Sequence, residues 1–289
     1  MTITFEPITE ALSPETIDAL ITAALAEDVG AGDVTTDAVV PADMTCRGKV
    51  VCKEDGVIAG LSVARRVFEL VDERIQFDAK TKDGERVQED QIVARLYGPA
   101  RGILKAERVS LNFLQHLSGI ATMTARFVRA VEGTKTKILD TRKTTPGLRQ
   151  LEKAAVAAGG ATNHRAGLYD AILIKENHAA IAGGVGRAVR LAREHSPELA
   201  LEVECRSLAE VDEALDAGAP RILLDNMTVD QLREAVAHVA GRAELEASGG
   251  VTLDTLRAVA STGVDFVSVG ALTHSARALD LSLILTPLT

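Results

Sequence analysis

Two adjacent basic residues follow a short apolar run in the stretch ILDTRKTTPGLR. The run ends in Asp140, and Arg142 and Lys143 come just after it. The whole chain has a formal net charge of −9, which argues against general binding to nucleic acid or to an anionic membrane surface. A local concentration of positive charge in an acidic protein therefore indicates a specific site for an anion.

More basic residues follow in GGATNHRAGLYDAILIKENH, where His164 and Arg165 precede a probable strand and Lys175 ends it. Arginine binds a carboxylate through two parallel hydrogen bonds, and lysine adds a point charge. Burying this much positive charge without a ligand would be costly. The alternative is neutralisation by internal acids such as Asp140 and Glu176, although the stretch holds more bases than acids.

Two acidic residues and two small-residue loops complete the set of candidate functional residues. Glu204 and Asp225 end probable strands and suit Mg²⁺ or sugar hydroxyls, with structural hydrogen-bond acceptors as the alternative. In ASGGVTLDTL and VSVGALTH, small residues lie between a strand and a helix, where backbone N–H groups can bind phosphate. The candidates in these loops are Ser248, Gly249, Gly250, Ser268 and Gly270. Tight turns without a ligand are the alternative reading.

The elements that position these residues alternate between strand and helix. The apolar runs predict strands at Lys137–Asp140, Ala171–Ile174, Leu201–Glu204, Ile222–Asp225, Glu244–Ala247 and Phe266–Val269. Alternating βα units predict a parallel sheet, and the first strand lacks the G-x-G-x-x-G signature of dinucleotide binding. We therefore expect a barrel or partial barrel, in which functional residues gather at the carboxyl ends of the strands.

The first hundred or so residues have a different pattern. Ser13 and Pro14 are typical of a helix start. The stretch CRGKVVCKEDGVIAG predicts a strand, an Asp-Gly turn and a second strand, and IQFDAKTKDGERVQEDQIVARLYGPA repeats that pattern. These segments indicate an α+β unit with antiparallel hairpins around the helical LSVARRVFELVD. A long helical stretch begins near residue 103, and Gly119 within it is expected to break the helix.

The composition fits a cytoplasmic α/β protein. The chain has 289 residues, of which 46% are hydrophobic and 3% aromatic, so Ala, Val, Leu and Ile must build the core. Neither a basic, apolar N-terminal signal nor an apolar run of membrane-spanning length is found. The three cysteines, Cys46, Cys52 and Cys205, have no CxxC spacing and indicate buried thiols rather than disulfides or zinc ligands. His116, His195 and His238 lie in helical patterns and are expected to be structural.

These segments together resemble the quinolinate phosphoribosyltransferase family. The resemblance rests on LDTRKTTPGLR, GGATNHRAGLYDAILIKENH, EVEC, ILLDNM, ASGGV and DFVSVGALTHS, with EDVGAGDVTTDAVVP and KAERVSLNFLQHLSGIAT further upstream. It covers nearly the whole chain, in order. It implies an α/β fold with an N-terminal α+β sandwich domain followed by an incomplete parallel α/β barrel. The expected domains are residues 1–112, 113–273 and a C-terminal segment, 274–289, that packs back on the first domain.

The resemblance also implies a reaction. Quinolinate and phosphoribosyl pyrophosphate would give nicotinate mononucleotide, pyrophosphate and CO₂, with Mg²⁺ as cofactor. The family pattern places quinolinate against Arg142, His164, Arg165 and Lys175. It assigns the phosphoribosyl pyrophosphate and its metal to Lys143, Glu204 and Asp225, and the phosphate to Ser248, Gly249, Gly250, Ser268 and Gly270.

The resemblance further implies a homodimer of head-to-tail type, in which Arg108 enters the active site of the neighbouring subunit. Two alternatives remain open from the residues themselves. One is a barrel lyase that uses Lys143 or Lys175 as a Schiff-base nucleophile. The other is a non-catalytic protein that binds an anionic, phosphorylated ligand.

Overall fold

The computed structural model describes residues 13–288. The sequence predictions for residues 1–12 and 289 lie outside the described residues, including the beginning of the segment searched for a targeting signal. The described chain folds into two compact units. We call residues 13–125, 145–160 and 275–288 the antiparallel unit, and residues 126–144 and 161–274 the barrel unit. The domain boundaries expected at residues 112 and 273 stay predictions.

A four-stranded antiparallel sheet forms the centre of the antiparallel unit, in the order β12-β1-β5-β3. Its strands are β1 (Thr45–Cys52), β3 (Gln76–Ala79), β5 (Ile92–Pro99) and β12 (Leu281–Leu288). The C-terminal strand β12 pairs with β1 along its whole length, from Cys52↔Leu281 to Thr45↔Leu288. The two short strands β2 (Gly56–Val57) and β4 (Arg86–Val87) pair with each other.

The predicted hairpins are therefore only partly right. The strands and their antiparallel direction are present, but β1 and β2 belong to different sheets, and β3 pairs with β5 rather than with β4. The reason is that β1 is a central strand, with β5 on one side and β12 on the other. Both of its edges are already hydrogen-bonded, so β2 has to pair elsewhere.

Helices of the antiparallel unit cover this sheet. They are α1 (Pro14–Val29), α2 (Val34–Val39), α3 (Leu61–Val71), α5 (Arg149–Ala158) and the larger part of α4 (Ala100–Ala130). The start of α1 is as predicted, because the Ser13 side chain accepts a hydrogen bond from the Thr16 backbone N–H and Pro14 occupies the first turn. Phe68 of α3 is 1% exposed, and its ring lies 5.9 Å from that of Phe77 on β3.

The predicted break at Gly119 is wrong, since α4 continues through this residue from Ala100 to Ala130. A Cβ atom at Gly119 would overlap the carbonyl oxygen of Arg277 and lie 2.9 Å from Cα of Ala278. The glycine therefore lets the chain pass closely across the helix just before β12. Hydrogen bonds fix this crossing, from Leu279 N–H to the Gln115 carbonyl at 3.0 Å and from Gln115 Nε2 to the Leu281 carbonyl at 2.8 Å.

Six parallel strands form the barrel unit, in the order β6-β11-β10-β9-β8-β7. They are β6 (Lys137–Leu139), β7 (Ile172–Ile174), β8 (Leu201–Cys205), β9 (Arg221–Asp225), β10 (Glu244–Ser248) and β11 (Phe266–Ser268). Each end lies within one residue of its predicted position. Every residue of β8 is buried, as expected for parallel strands covered on both faces.

The sheet curls without closing, which confirms the incomplete barrel. In the described chain, β6 and β7 share no ladder, and a single parallel bridge from Leu139 to Thr162 lies beside that gap. The helices of this unit are α6 (Glu176–Ala182), α7 (Val185–His195), α8 (Leu208–Asp216), α9 (Val229–Val239), α10 (Leu253–Ala260) and α11 (Ala271–His274). Ser207, Thr228 and Thr252 cap α8, α9 and α10 through their side-chain oxygens, so these helices begin directly above the strand ends.

At the amino end of the same sheet, Arg221 of β9 lies opposite Glu244 of β10. Arg221 is 2% exposed, and its Nη2 donates to Glu244 Oε2 at 2.8 Å. The guanidinium carbon lies 4.0 Å from the centroid of the Phe266 ring. Partial barrels of this kind separate stability from function, since ion pairs at the amino end hold the strands while the carboxyl end is left for ligands.

The crossing at Gly119 generates a stability prediction. Gly119→Ala should lower the free energy of unfolding by about 1–3 kcal/mol, because the new methyl group has to displace the Arg277 backbone. In a helix interior without such a crossing, replacing glycine by alanine would raise the free energy of unfolding by about 1 kcal/mol. A decrease therefore distinguishes the close crossing from the effect of helix propensity. Urea unfolding measures it, with Arg126→Ala on an exposed position of α4 as the control, for which a change within about 0.5 kcal/mol is expected. A stabilised Gly119→Ala variant would contradict the close crossing.

Candidate active site at the carboxyl ends of the parallel strands

The carboxyl ends of the parallel strands surround a cavity of about 700 Å³. Twelve of the residues singled out in the sequence line it. They are Arg142, Lys143, His164, Arg165, Lys175, Glu204, Asp225, Ser248, Gly249, Gly250, Ser268 and Gly270. Arg108 does not line this cavity, since it is exposed on α4 in the antiparallel unit.

The basic side chains come from consecutive connections around β6 and β7. Arg165 is 7% exposed, and its Nη1 donates to the Ala171 carbonyl at 3.1 Å. Burial and the nearby Arg142 both lower the pKa of the Arg165 guanidinium, in that order. Nε of Arg142 is buried without a hydrogen-bond partner. Asp170 and Glu202 partly offset the lowering of the Arg165 pKa, and two guanidinium groups so close together favour an anionic ligand with several acceptor oxygens.

Asp140 anchors the segment that carries Arg165. This carboxylate is fully buried and accepts hydrogen bonds from Asn163 Nδ2 and from the His164 backbone N–H, each at 2.7 Å. Glu176, the other acid considered from the sequence, pairs with Arg206. Asp140 thus holds the backbone before Arg165 and also lines the cavity, whereas Glu176 pairs with a different arginine.

His164 lines the cavity, but hydrogen bonds inside the barrel engage both of its ring nitrogens. Nε2 lies 2.8 Å from Glu202 Oε2, and Nδ1 accepts the Arg165 backbone N–H at 2.8 Å. The expectation that this ring holds a ligand carboxylate stays a prediction. The structure adds a second role, because the ring links a buried acid to the backbone of Arg165.

Two buried acids, Glu202 and Glu246, were not singled out in the sequence. They lie with His164 in a group whose ligand atoms are within 4.8 Å of one another, so the group could also hold a metal ion. Glu246 Oε2 is 3.8 Å from His164 Nε2, and burial together with the adjacent Glu202 raises the pKa of Glu246 to about 8. Their signal was present in LEVEC and ELEAS, where acids interrupt strands that are otherwise apolar. Glu202 and Glu204 are two residues apart and so share one face of β8.

The carboxylates proposed as metal ligands come from neighbouring strands. Glu204 is buried on β8 and accepts from Lys175 Nζ at 3.2 Å. Asp225 ends β9, accepts from Asn226 Nδ2 at 2.9 Å and lies 3.6 Å from Arg206 Nε. Both line the same cavity and offer hard oxygen donors, and each has a basic partner that a cation would replace. This donor set fits Mg²⁺, which binds one or two carboxylates together with ligand phosphates and water.

The small-residue loop after β10 has the geometry of an anion cradle. Gly249 and Gly250 have φ values of +104° and +60°, so backbone N–H groups there adopt directions that other residues rarely allow. A Cβ atom at Gly249 would overlap the Asn226 side chain, whereas one at Gly250 would meet nothing within 4 Å. This loop and the one after β11 each lead directly into a helix, α10 or α11.

The second loop is tied to the basic pair after β6. A Cβ atom at Gly270 would lie 2.9 Å from Cδ of Lys143. Thr273 Oγ1 donates to the Lys143 carbonyl at 2.7 Å. Because β11 is the sheet neighbour of β6, a ligand phosphate on this loop and the Lys143 ammonium would share one region of the cavity.

Two of the histidines expected to be structural have acidic partners, and the three cysteines are buried. His116 Nε2 lies 2.9 Å from Glu152, and His238 Nε2 lies 2.6 Å from Asp212. Burial raises the pKa of the Cys52 thiol to about 11 and that of Cys205 to about 12, with a contribution from nearby acids. All three cysteines are free and buried, so these thiols are unreactive.

Comparison with known proteins gives one consistent result. A sequence model described as "Quinolinate phosphoribosyl transferase, N-terminal domain" matches residues 33–118, and one described as the C-terminal domain of the same enzyme matches residues 120–284. A "Probable nicotinate-nucleotide pyrophosphorylase [carboxylating]" of Bacillus subtilis is 44% identical over 261 residues, covering 90% of each chain. The chloroplastic enzyme of that name from Oryza sativa is 44% identical, covering 92% of this chain and 77% of its own.

The solved structures agree with this result. The crystal structure of NadC from Streptococcus pyogenes is 44% identical, covers 96% of this chain and 99% of its own, and gives a TM-score of 0.92. In the part of the chain that is described, no helix combines the length and apolar character needed to cross a membrane.

Glu246 generates a prediction for the dependence of stability on pH. Its pKa is raised in the folded state from 4.5 to about 8. Below about pH 4.5 the carboxyl is therefore protonated in both the folded and the unfolded state and does not change the free energy of unfolding. As the pH rises towards 8, the unfolded state gains stability by ionising while the folded state does not. Relative to Glu246→Gln, the wild-type free energy of unfolding should therefore fall by up to about 1.4 kcal/mol per pH unit.

Urea unfolding at about pH 5.5, 6.5 and 7.5 measures this difference. Glu234→Gln, at an exposed position of α9, is the matched control and should show no such trend. A constant gap between wild type and Glu246→Gln across this range would mean that Glu246 is ionised in the folded protein.

Proposed function

This chain belongs to the quinolinate phosphoribosyltransferase family, and we propose that its cavity binds a dicarboxylate through the bases around β6 and β7 and a polyphosphate through the loops after β10 and β11. The enzyme transfers the phosphoribosyl group of phosphoribosyl pyrophosphate to quinolinate with decarboxylation. The products are nicotinate mononucleotide, pyrophosphate and CO₂, in NAD biosynthesis. The assignment of the cavity rests on one observation. Paired arginines, two carboxylates and two glycine-containing loops surround a single space.

Quinolinate would lie against the bases. Arg142 and Arg165 each offer a planar fork for a carboxylate, and Lys175 adds a mobile point charge from an exposed position. The two carboxylates of quinolinate would add to the partial compensation that Asp170 and Glu202 give Arg165. His164 would contribute to this end chiefly by holding Arg165, because its ring nitrogens are engaged.

Phosphoribosyl pyrophosphate would occupy the other strand ends. Ser248, Gly249 and Gly250 would bind phosphate at the start of α10, with Ser268 and Gly270 doing the same before α11. Lys143, which packs against Gly270, would then reach the phosphates directly. Glu204 and Asp225 would hold Mg²⁺ or the ribose hydroxyls, and a bound Mg²⁺ would supply charge neutralisation for the polyphosphate.

This arrangement accounts for the chemistry. The pyridine nitrogen attacks the anomeric carbon of the ribose as the bond to pyrophosphate breaks, and the transition state has oxocarbenium character. Lys143 stabilises the negative charge that develops on the leaving group. The ring nitrogen is then quaternary and withdraws electrons, so the adjacent carboxylate departs as CO₂. The carbon it leaves behind takes up a proton.

We also propose that the protein is a cytoplasmic homodimer in which Arg108 acts in the site of the partner subunit. Arg108 is exposed on α4, so it is available for an intermolecular contact. A two-fold interface would give each site one arginine in trans. The Schiff-base alternative has no support in the geometry, because Lys143 and Lys175 are both exposed and nucleophilic lysines are activated by desolvation.

The specificity of the basic site is the first functional prediction. Incubation with quinolinate, phosphoribosyl pyrophosphate and Mg²⁺ should release CO₂ and nicotinate mononucleotide. Nicotinate lacks one carboxylate and would leave a guanidinium unpaired, so its kcat/KM should be lower by about 10⁴-fold. Arg165→Ala should raise the KM for quinolinate strongly, while Arg187→Ala, at an exposed position of α7, should not. Comparable turnover of nicotinate and quinolinate would argue against a dicarboxylate site.

The metal site is tested by neutral variants that preserve side-chain shape. Glu204→Gln and Asp225→Asn should lower kcat by about 100-fold or more, because they remove charge that orients the polyphosphate. Binding of quinolinate alone should change little. Titration calorimetry of Mg²⁺ with pyrophosphate should show weaker metal binding in both variants, and Glu234→Gln is the control. Full activity of both variants at limiting Mg²⁺ would make these carboxylates structural.

Subunit mixing tests the shared site. Arg108→Ala and Lys143→Ala should each be inactive, and exchange of subunits should restore activity. A mixed dimer has one barrel with Lys143 that receives Arg108 from the other chain, while its second site carries both defects. Random exchange makes about half of the dimers mixed, so about a quarter of wild-type activity should return. If activity stays at the parental background despite verified exchange, Arg108 does not act in trans.

A further inference from the structure

The side chain of His164 connects a buried acid to the backbone of a ligand-binding arginine. Glu202 Oε2 lies 2.8 Å from His164 Nε2, and His164 Nδ1 accepts the Arg165 backbone N–H at 2.8 Å. All three residues are buried, with exposed fractions of 1%, 7% and 7%. The contacts therefore lie in a poorly hydrated environment, where hydrogen bonds are strong and an unpaired group is costly.

The hydrogen bonds fix the tautomer of the ring. A backbone N–H can only donate, so Nδ1 of His164 carries a lone pair and the ring proton is on Nε2. That proton points to Oε2 of Glu202, which accepts it. Glu202 thus favours the one neutral tautomer that can hold the Arg165 backbone. The opposite tautomer would place an N–H at Nδ1 against the Arg165 N–H.

We propose that Glu202 is a positioning residue for the carboxylate site: through His164 it fixes the backbone from which the Arg165 guanidinium reaches quinolinate. This inference rests on the proposed role of Arg165. Glu202 contacts the ring directly, whereas Glu246 Oε2 is 3.8 Å from the same nitrogen. Asp140 holds His164 through its backbone N–H instead, so it places the residue without choosing the tautomer of the ring.

Loss of the Glu202 acceptor should weaken the binding of quinolinate and leave the binding of phosphoribosyl pyrophosphate unchanged. Glu202→Met keeps the approximate length of the side chain but removes the acceptor, so the ring is free to change tautomer and Arg165 loses a backbone contact. The KM for quinolinate should rise by about 10-fold or more, as for a small misplacement of a binding group. The KM for phosphoribosyl pyrophosphate should stay within about 3-fold of wild type, because the loops after β10 and β11 are unaffected.

Two further variants separate positioning from general stability. Glu202→Gln retains a carbonyl acceptor and should restore most of the quinolinate affinity. Glu244→Met is the matched control, since it removes another strand glutamate, the partner of Arg221 at the amino end of the sheet. It should lower the thermal midpoint without changing either KM. If Glu202→Met raises both KM values equally, or leaves the quinolinate KM unchanged, the proposal is wrong.

Nitrogen-15 NMR of histidine-labelled wild-type protein gives a readout that does not depend on turnover or on any Glu202 variant. The His164 signals, assigned by their loss in His164→Gln, should show the Nε2–H tautomer in the wild type at pH 7. A protonated Nδ1 in the wild type would overturn the proposal without any Glu202 variant. If the wild type turned over no quinolinate but showed the Nε2–H tautomer, the proposed function would fail while the hydrogen-bonded link itself stood.

Discussion

Burial and, after it, the neighbouring Arg142 make the positive charge of the Arg165 guanidinium costly in the cavity. The protein holds this group there through rigid backbone contacts. Asp140 fixes the segment before Arg165 with two hydrogen bonds of 2.7 Å, and the carbonyl of Ala171 accepts from the guanidinium itself. This arrangement supports the proposal that a ligand with two carboxylates occupies this part of the cavity.

The parallel sheet brings these bases together with acids and glycine-containing loops around one cavity. Its register places Ser248 beside Asp225 and Ser268 beside Leu139, so neighbouring strands end at nearly the same level. Bases follow β6 and β7, acids end β8 and β9, and glycine-containing loops follow β10 and β11. Since β6 and β11 are adjacent in the curled sheet, the first and last strands of the series contribute to one region. Lys143 packs against Gly270 there.

The acids inside the barrel have different tasks because their surroundings differ. Asp225 remains half-buried at the rim, where a cation or a hydroxyl can reach it. Glu202 and Glu246 are buried side by side, and the raised pKa of Glu246 keeps one proton on the pair at neutral pH. Burial raises the pKa of Glu202 as well. Two negative charges side by side in this position would repel each other at high cost.

Much of this protein could be predicted from its sequence. The strand ends of the barrel were found within one residue, because buried parallel strands form continuous apolar runs and the helix starts carry capping residues. Residue type also identified the bases, acids and glycines of the cavity, since each belongs to a class with a definite chemistry at a strand end. The family resemblance then gave these residues a reaction, and comparison with known proteins confirmed the family.

Tertiary structure decided which groups are neighbours. Gly119 is typical of a helix break, yet α4 continues because the chain before β12 needs the space of a missing side chain. Consecutive strands such as β1 and β2 separate because β1 receives β12 from the far end of the chain. The position of His164 predicts a ligand for an anion, and the folded sheet adds a contact from its ring to Glu202 that the sequence did not indicate. Spacing along the chain reports local geometry, whereas these contacts join residues that only the folded sheet brings together.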